Sequence, residues 1–179
     1  MLQKDNRYKI LKVFFEDPSP KGIGFQLREI SRNVEIAPTS VKKYLNELGK
    51  EGFVIKVKHR IHGYPVYYAN RDNENFKLHK KLDTIIKIRD SDLLDYLSES
   101  CMPDVIILFG SASRGEDLKD SDIDLFVMAK EEKIDLDKFE KILNRKINLF
   151  FSEDFSKLSK ELRNNIINGV ILKGYLKVF

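Results

Sequence analysis

The stretch DVIILFGSASRGEDLKDSDIDLFVMAK, residues 104–130, constrains the fold more than any other part of the chain. It holds two apolar runs of strand length, Val105–Phe109 and residues 123–128, separated by a segment rich in glycine, serine and aspartate. Short apolar runs of this kind are typical of buried strands. The stretch therefore predicts two core strands that are connected through a polar loop.

Two aspartates enter the second strand at alternate positions. Because side chains alternate along a strand, Asp122 and Asp124 are expected on the same face, with their Cα atoms about 6.5–7 Å apart. Apolar residues flank Asp124, so its carboxylate needs a partner that offsets the cost of desolvation. Carboxylate oxygens suit Mg²⁺ or Mn²⁺, and the pair predicts a divalent-cation site.

A Gly–Ser turn follows the first strand. Gly110 allows the backbone to approach an anion closely, and Ser111 offers a hydroxyl and an N–H at the start of a predicted helix. Arg114, one turn further on, can neutralise the same phosphates. Each feature alone has an ordinary explanation, since Gly–Ser is a common turn and Asp-x-Asp often marks a solvated strand end. Together they predict a nucleotide site at Gly110, Ser111 and Arg114.

The sequence GSASRGEDLKDSDIDLFV resembles the signature of minimal nucleotidyltransferases of the polymerase-β superfamily. The resemblance extends over about residues 103–179, including a predicted helix at 136–145, the strand KINLFF at 146–151 and a closing helix at 159–176. It implies a C-terminal mixed-sheet domain of the polymerase-β type.

The same resemblance implies a function for the polar residues. Asp122 and Asp124 take the catalytic role and bind Mg²⁺ or Mn²⁺, while Gly110 and Ser111 bind the phosphates of an NTP such as ATP. The family includes antitoxins that transfer AMP to a HEPN-type toxin, which makes such a toxin a candidate partner. An aminoglycoside or an RNA 3′ end is an alternative acceptor.

One position departs from the family pattern. The superfamily usually has a third acidic residue on the later strand, and this chain has Asn148 there. Asn can neither act as a base nor supply negative charge, so Asn148 is a weaker candidate for the metal site. Asp135 and Asp137 are conceivable substitutes, but Asp137 with Glu140 is typical of a capping box.

The first half of the chain predicts a winged helix-turn-helix. Helices are expected at Asn6–Glu16, 26–34 and 39–50, followed by strands at 53–58 and 64–69 with a basic tip between them. This order resembles that domain over about residues 4–70, and the third helix would enter a major groove of double-stranded DNA. A protein-interaction module is the alternative. The predicted DNA-binding residues are Thr39, Ser40, Lys42, Lys43, Asn46, Lys58 and Arg60.

Charge is divided unevenly. Residues 1–80 contain 16 Lys and Arg against 9 Asp and Glu, whereas residues 81–179 contain 16 against 19. A basic first half favours a polyanionic partner, and an acidic second half favours bound cations. The chain has no apolar run long enough to span a bilayer and no leader-like start, so no membrane association and a cytoplasmic location are expected.

The sequence thus predicts an α+β protein in three parts: a winged helix-turn-helix at 1–71, a helical linker at 72–101 and a minimal nucleotidyltransferase domain at 102–179. The apolar stripe of the linker either packs on its own domains or forms a homodimer. Two functions stay open. One is a DNA-binding enzyme that transfers a nucleotide to a hydroxyl, and the other is a degenerate nucleotidyltransferase that acts as a nucleotide-sensing transcription regulator.

Overall fold

The computed structural model of the protein describes residues 5–18 and 24–178. The chain divides into two compact units, Met1–Lys80 and Lys81–Phe179. Helices and strands occur in both units, so the predicted α+β class is confirmed. Within the described ranges, no helix combines the length and the apolar character that crossing a membrane requires.

The first unit combines helices with an antiparallel sheet. Its strands are ordered β1-β3-β2, and the hairpin of β2 and β3 pairs Val54 with Ala69 and Lys58 with Pro65. Its described elements are α1 (Asn6–Glu16), β1 (Phe25–Gln26), α2 (Leu27–Val34), α3 (Pro38–Lys50), β2 (Val54–Lys58), β3 (Pro65–Ala69) and the first turns of α4 (Glu74–Asp90).

Local chemistry sets the helix ends in this unit. Asp5 accepts a hydrogen bond from the backbone N–H of Arg7 at 2.9 Å and so caps the start of α1. Pro38 occupies the first position of α3, where its missing N–H removes no helical hydrogen bond. Gly52, with φ of +78°, lets the chain leave α3 in the left-handed region. The predicted starts of α2 and α3 were each displaced by one residue, because Gln26 is the N-cap of α2 and Pro38 belongs to α3.

The core of the first unit contains the apolar stripes that predicted its helices. Ile10, Phe14, Ile30, Leu45 and Leu48 are all buried and pack in one cluster. The inner face of the hairpin adds Val54, Tyr67 and Ala69 to the same cluster.

The second unit is built on a mixed sheet, as predicted. Its strands are ordered β6-β5-β4-β7, with β5 and β6 parallel and the other neighbours antiparallel. Both faces of β4 are buried, which explains its uninterrupted apolar sequence. Its described elements after α4 are α5 (Leu93–Cys101), β4 (Val105–Phe109), β5 (Ile123–Val127), α6 (Asp137–Leu143), β6 (Ile147–Phe151), α7 (Lys160–Ile167) and β7 (Val170–Gly174).

The closing helix predicted at 159–176 is wrong in its second half. α7 ends at Ile167, and the chain continues as β7, which pairs with β4. Gly169 makes this change of direction possible, because a Cβ there would lie 2.5 Å from the carbonyl oxygen of Leu108 and 3.0 Å from that of Ile166. Pairing with β7 satisfies backbone groups along the edge of β4 that a continued helix would leave without partners.

The predicted linker forms two helices, α4 and α5. α4 ends at Asp90 and α5 begins at Leu93, and between them Asp92 adopts φ of +62° without a capping hydrogen bond from its side chain. Ile88, Leu93, Leu94 and Leu97 are buried in a core cluster of the second unit. This part of the apolar stripe therefore packs on its own domain.

Candidate active site

The turn after β4 is tight because a carboxylate lies against it. Gly110 has φ of +71°, and a Cβ at this residue would lie 2.5 Å from Oδ2 of Asp124. A side chain at position 110 would strain the backbone and displace that carboxylate. Gly110 thus permits the close approach of an acidic group of the protein itself, a contact that the sequence did not predict.

The sheet register brings the acidic residues and Asn148 together. Asp124 lies opposite Phe109 of β4 on one side and opposite Asn148 of β6 on the other. Nδ2 of Asn148 donates hydrogen bonds to Oδ2 of Asp122 at 3.1 Å and to Oδ1 of Asp124 at 3.0 Å. The two carboxylates therefore converge on one point, next to the Gly110 turn.

This amide supplies the partner that Asp124 was expected to need. Asp124 is only half-buried, and Asp122 is exposed at the edge of the strand. The sequence identified Asn148 as a missing acid, whereas the structure shows it as a hydrogen-bond donor that bridges the two acids. The alternation of side chains along β5 and the parallel pairing with β6 together place these three polar groups on one face.

The segment after Gly110 is a single 3-10 turn, Ala112–Arg114, and not the helix that was predicted to start at Ser111. Ser111 is its N-cap residue, and the hydroxyl of the buried Ser113 donates to the carbonyl oxygen of Gly110 at 2.8 Å. Arg114 is exposed, and its guanidinium pairs with Glu116 at 2.8 Å. Their predicted role in phosphate binding stays a prediction.

A buried ion pair near the site was missed by sequence reasoning. Nη1 of Arg145 lies 2.6 Å from Oδ2 of Asp117, and both side chains are largely buried. The sequence assigned Arg145 only to the end of a helix at 136–145, but α6 ends at Leu143 and Asn144 adopts φ of +52°. Asp117 lies between the Gly110 turn and the Asp pair in the signature segment. An acidic residue at that place was the signal from which a basic partner could have been predicted.

The predicted capping box at the start of α6 is wrong. The N-cap residue of α6 is Leu136, which makes no side-chain capping hydrogen bond, and Asp137 is the first helical residue, with its N–H donating to Oδ1 of Asp135 at 3.1 Å. Glu140 instead accepts from Nζ of Lys146 at 2.7 Å and from the N–H of Ile147 at 3.0 Å. It therefore ties α6 to the start of β6.

The charges of Glu140, Lys146 and Asp122 affect one another. The ion pair and hydrogen bond with Lys146 hold the pKa of Glu140 below its usual value. Glu140 in turn raises the pKa of Lys146, with smaller contributions from Asp137 and Asp122. Lys146 and Glu140 also line a cavity of about 590 Å³ together with residues 133–137.

The predicted DNA-binding residues lie mainly on the surface of the first unit. Ser40 is half-buried, and the others of that set are exposed on α3 and on the β2–β3 hairpin. At the tip, the N–H of His59 donates to the carbonyl oxygen of Tyr64 at 2.7 Å, and Gly63 adopts φ of +69°. The contact of these side chains with DNA stays a prediction.

Comparison with known families applies to the second unit. Residues 91–175 match the model of a family described as polymerase beta, nucleotidyltransferase. The match runs from α5 to β7 and includes the Gly110 turn, the Asp pair and Asn148. It supports a nucleotidyltransferase domain in this half of the chain. Comparison of the chain with curated proteins and with solved structures found no match.

Nucleotidyltransferases of the polymerase-β type generally use divalent metals. Among the residues that the structure describes, no group of three or more His, Cys, Asp or Glu side chains is arranged to hold a metal ion. Asp122 and Asp124 nevertheless fit one such ion, because the position between their oxygens accommodates the NH₂ group of Asn148, a donor with partial positive charge. Rotation of that amide would present its oxygen as a third hard ligand, and the two orientations are nearly indistinguishable by shape. The donor set therefore fits a single Mg²⁺ or Mn²⁺.

Proposed function

We propose that the second unit binds an NTP, in the first instance ATP, together with Mg²⁺ or Mn²⁺ and transfers its nucleotide to a hydroxyl group. The observation that supports this most directly is the convergence of Asp122 and Asp124 on one point beside the Gly110 turn. Asp122 and Asp124 lie at the start of β5, the bridging Asn148 lies on β6 and Gly110 lies in the turn after β4, and all four are in the region that matches the nucleotidyltransferase family.

In this proposal Asp122, Asp124 and the Asn148 oxygen hold the cation, which when bound neutralises charge on the triphosphate. The backbone N–H groups after Gly110 and the hydroxyl of Ser111 receive the terminal phosphates, and Arg114 exchanges Glu116 for a phosphate oxygen. The hydroxyl oxygen of the acceptor forms a bond to the α-phosphorus as the bond to the β-phosphate oxygen breaks. Pyrophosphate leaves, and the hydroxyl proton passes to water, since Asn148 cannot accept it.

The acceptor would approach from the β6 side of the site. The cavity lined by residues 133–137, Glu140 and Lys146 borders the start of β6, and the charge of Asp122 contributes to the raised pKa of Lys146. A hydroxyl on a protein partner, such as a HEPN-type toxin, is the acceptor that we favour. A small acceptor such as an aminoglycoside would be an outcome of the test below.

The proposal is tested by calorimetric titration of the full chain with ATP, with and without Mn²⁺. We expect Mn²⁺-dependent binding that is lost in the double variant Asp122→Asn with Asp124→Asn. A matched double variant, Asp104→Asn with Asp120→Asn, removes two exposed carboxylates of the same unit and should bind as the wild type does. ATP binding that is equally strong without Mn²⁺ and in the Asp122→Asn, Asp124→Asn double variant would contradict the proposed site.

A second function is favoured by one observation. Asn148 donates to both carboxylates and thereby satisfies them without a cation, which suits a protein that senses nucleotides and does not turn them over. In that case the second unit regulates transcription. Incubation with labelled ATP, Mg²⁺ and a cell extract distinguishes the two, because only the enzyme yields a labelled acceptor.

For the first unit we propose a winged helix-turn-helix that binds double-stranded DNA. The support is the order of its elements and the exposure of Lys42, Lys43 and Asn46 on α3 and of Lys58 and Arg60 at the hairpin. Such domains often bind two-fold symmetric sites, so we also propose a homodimer. Binding to a labelled DNA fragment from the protein's own promoter tests the first proposal. The mass of the protein–DNA complex gives the number of chains bound and so tests the second.

A further inference from the structure

Arg145 makes hydrogen bonds in three directions around the segment that leads into Asp122. Its Nη1 donates to Oδ2 of Asp117 at 2.6 Å, its Nε to the carbonyl oxygen of Ser121 at 2.7 Å, and its Nη2 to the carbonyl oxygen of Asp122 at 3.3 Å. Its side chain is 15% exposed. A guanidinium that is largely buried and bonded to one carboxylate and two consecutive carbonyls holds its surroundings in a defined geometry.

Lys146, the residue after Arg145, holds the backbone on the other side of Asp122. The N–H of Ile123 donates to the carbonyl oxygen of Lys146 at 2.8 Å. Arg145 and Lys146 thus fix the peptide groups before and after the Asp122 side chain, at the point where β5 begins. The neighbouring loop is closed by a hydrogen bond from the N–H of Leu118 to Oγ of Ser121 at 2.8 Å.

We propose that Arg145 is a positioning residue that orients Asp122 so that its carboxylate converges with that of Asp124. Asp122 is exposed and has no strand neighbour before it, so its direction depends on how its own backbone is held. The inference rests on the proposed function, because convergence is useful only if the two carboxylates share a cation. Lysine would not substitute, since a single ammonium cannot reach an acid and two carbonyls in the planar arrangement of the guanidinium.

The test measures binding of Mn²⁺ alone to the full chain, from the loss of the electron paramagnetic resonance signal of free Mn²⁺. We expect Arg145→Lys to weaken Mn²⁺ binding roughly 10- to 100-fold, the range found when groups that orient metal ligands are removed. The matched control is Arg89→Lys. Arg89 also donates from its guanidinium to a backbone carbonyl of this unit, that of Leu172 at 2.8 Å, but on β7 at the opposite edge of the sheet. Its Mn²⁺ affinity should equal that of the wild type.

A double-mutant cycle shows whether Arg145 acts through Asp122. In an Asp122→Asn background, Arg145→Lys should cause no further loss of Mn²⁺ affinity, whereas an independent effect on the site would add to the first. Asp117→Asn is the second variant. It keeps the shape of the partner of Arg145 but removes its charge, and it should weaken Mn²⁺ binding less than Arg145→Lys does. Thermal melting without metal confirms that each variant is folded.

The outcomes separate the two proposals. If the wild type binds Mn²⁺ and both Arg145→Lys and Asp117→Asn bind it equally well, the role of Arg145 is overturned and the proposed function stands. The same conclusion follows if the loss caused by Arg145→Lys persists undiminished in the Asp122→Asn background. If the wild type itself binds no Mn²⁺, the metal-dependent function is overturned, and the role of Arg145 with it.

Discussion

The two units differ in how far apart along the chain their proposed functional residues lie. In the first unit the exposed polar side chains between Thr39 and Asn46 belong to one helix, and neighbouring turns of that helix place them together. In the second unit Gly110, Asp124 and Asn148 lie on a turn and two strands, and only the sheet register brings them next to one another. The first surface follows from local structure, whereas the second site depends on the tertiary fold.

This difference predicts how substitutions will combine. Solvent-exposed lysines that do not touch one another should contribute independently and additively to the binding of a polyanion. The residues of the second site share partners, since one amide binds two carboxylates and one of these carboxylates lies against the glycine turn. Substitutions there should be non-additive, and single changes should have large effects.

The largest effect is expected for Gly110→Ala. The left-handed backbone alone should cost about 1–2 kcal/mol, and the added Cβ, which would lie 2.5 Å from Oδ2 of Asp124, must also displace that carboxylate. Gly63→Ala is a matched control, because Gly63 has φ of +69° but no atom within 4 Å of the added Cβ. Both variants should lower thermal stability, but only Gly110→Ala should also abolish Mn²⁺-dependent ATP binding. Equal nucleotide binding by the two variants would show that the turn and the Asp pair are not coupled.

The next largest effect on ligand binding is expected for Asn148→Asp, which should strengthen the binding of the metal and not weaken it. The change removes two hydrogen bonds and groups three carboxylates, which should destabilise the metal-free protein by about 1–3 kcal/mol. It should also tighten Mn²⁺ binding by about tenfold or more, since an added charge near a cation is worth several times the 1.4 kcal/mol that corresponds to tenfold. Any transfer of labelled nucleotide should rise with it.

The control for this variant is Asn165→Asp, which adds the same charge on the exposed surface of α7. It should change neither metal affinity nor transfer. If Asn148→Asp transfers no more label than the wild type, the amide is not what limits turnover, and the regulatory function gains support.

The contrast between the units also explains what the sequence could predict. The strand Val105–Phe109 and the helix Asn6–Glu16 were predicted with their observed bounds, because a buried strand and an amphipathic helix leave a local pattern of apolar residues. The helix predicted at 159–176 was wrong in its second half. Residues 170–174 form β7 because the edge of β4 is available for pairing. Local sequence does not record that edge.

The site shows the same division. Asp122 and Asp124 could be placed on one face from strand periodicity alone. The bridging amide of Asn148, the contact of Gly110 with Asp124 and the three hydrogen bonds of Arg145 all join residues that are more than ten positions apart. Such contacts depend on sheet order and register, which the motif implies only through its resemblance to a family.

In the first unit, the double variant Lys42→Ala with Lys43→Ala should weaken DNA binding in a graded way. If each lysine contacts one phosphate, the slope of log affinity against log salt should decrease in magnitude by about 1.8, and each single variant should account for half of this. Fluorescence anisotropy over a range of salt concentrations measures the slope. Lys9→Ala with Lys12→Ala removes two charges from α1 and should leave it unchanged. An equal decrease in both double variants would mean that net charge, and not the α3 surface, determines binding.

The smallest effect is expected at the ion pair of Glu140 and Lys146, which borders the site but is not part of it. Because Lys146 lowers the pKa of Glu140, the pair should stabilise the fold above the usual pKa of a glutamate, and this contribution should be lost as the pH falls through the lowered pKa. Glu140→Gln should therefore lower the urea midpoint slightly at pH 7, and this difference should shrink as the pH falls through the lowered pKa and as salt is added. Glu153→Gln, at an exposed glutamate of the same unit, is the control and should show no such pH dependence. A large loss of Mn²⁺ affinity in Glu140→Gln would place this corner inside the coupled site, which would extend the non-additive region from β5 across to α6.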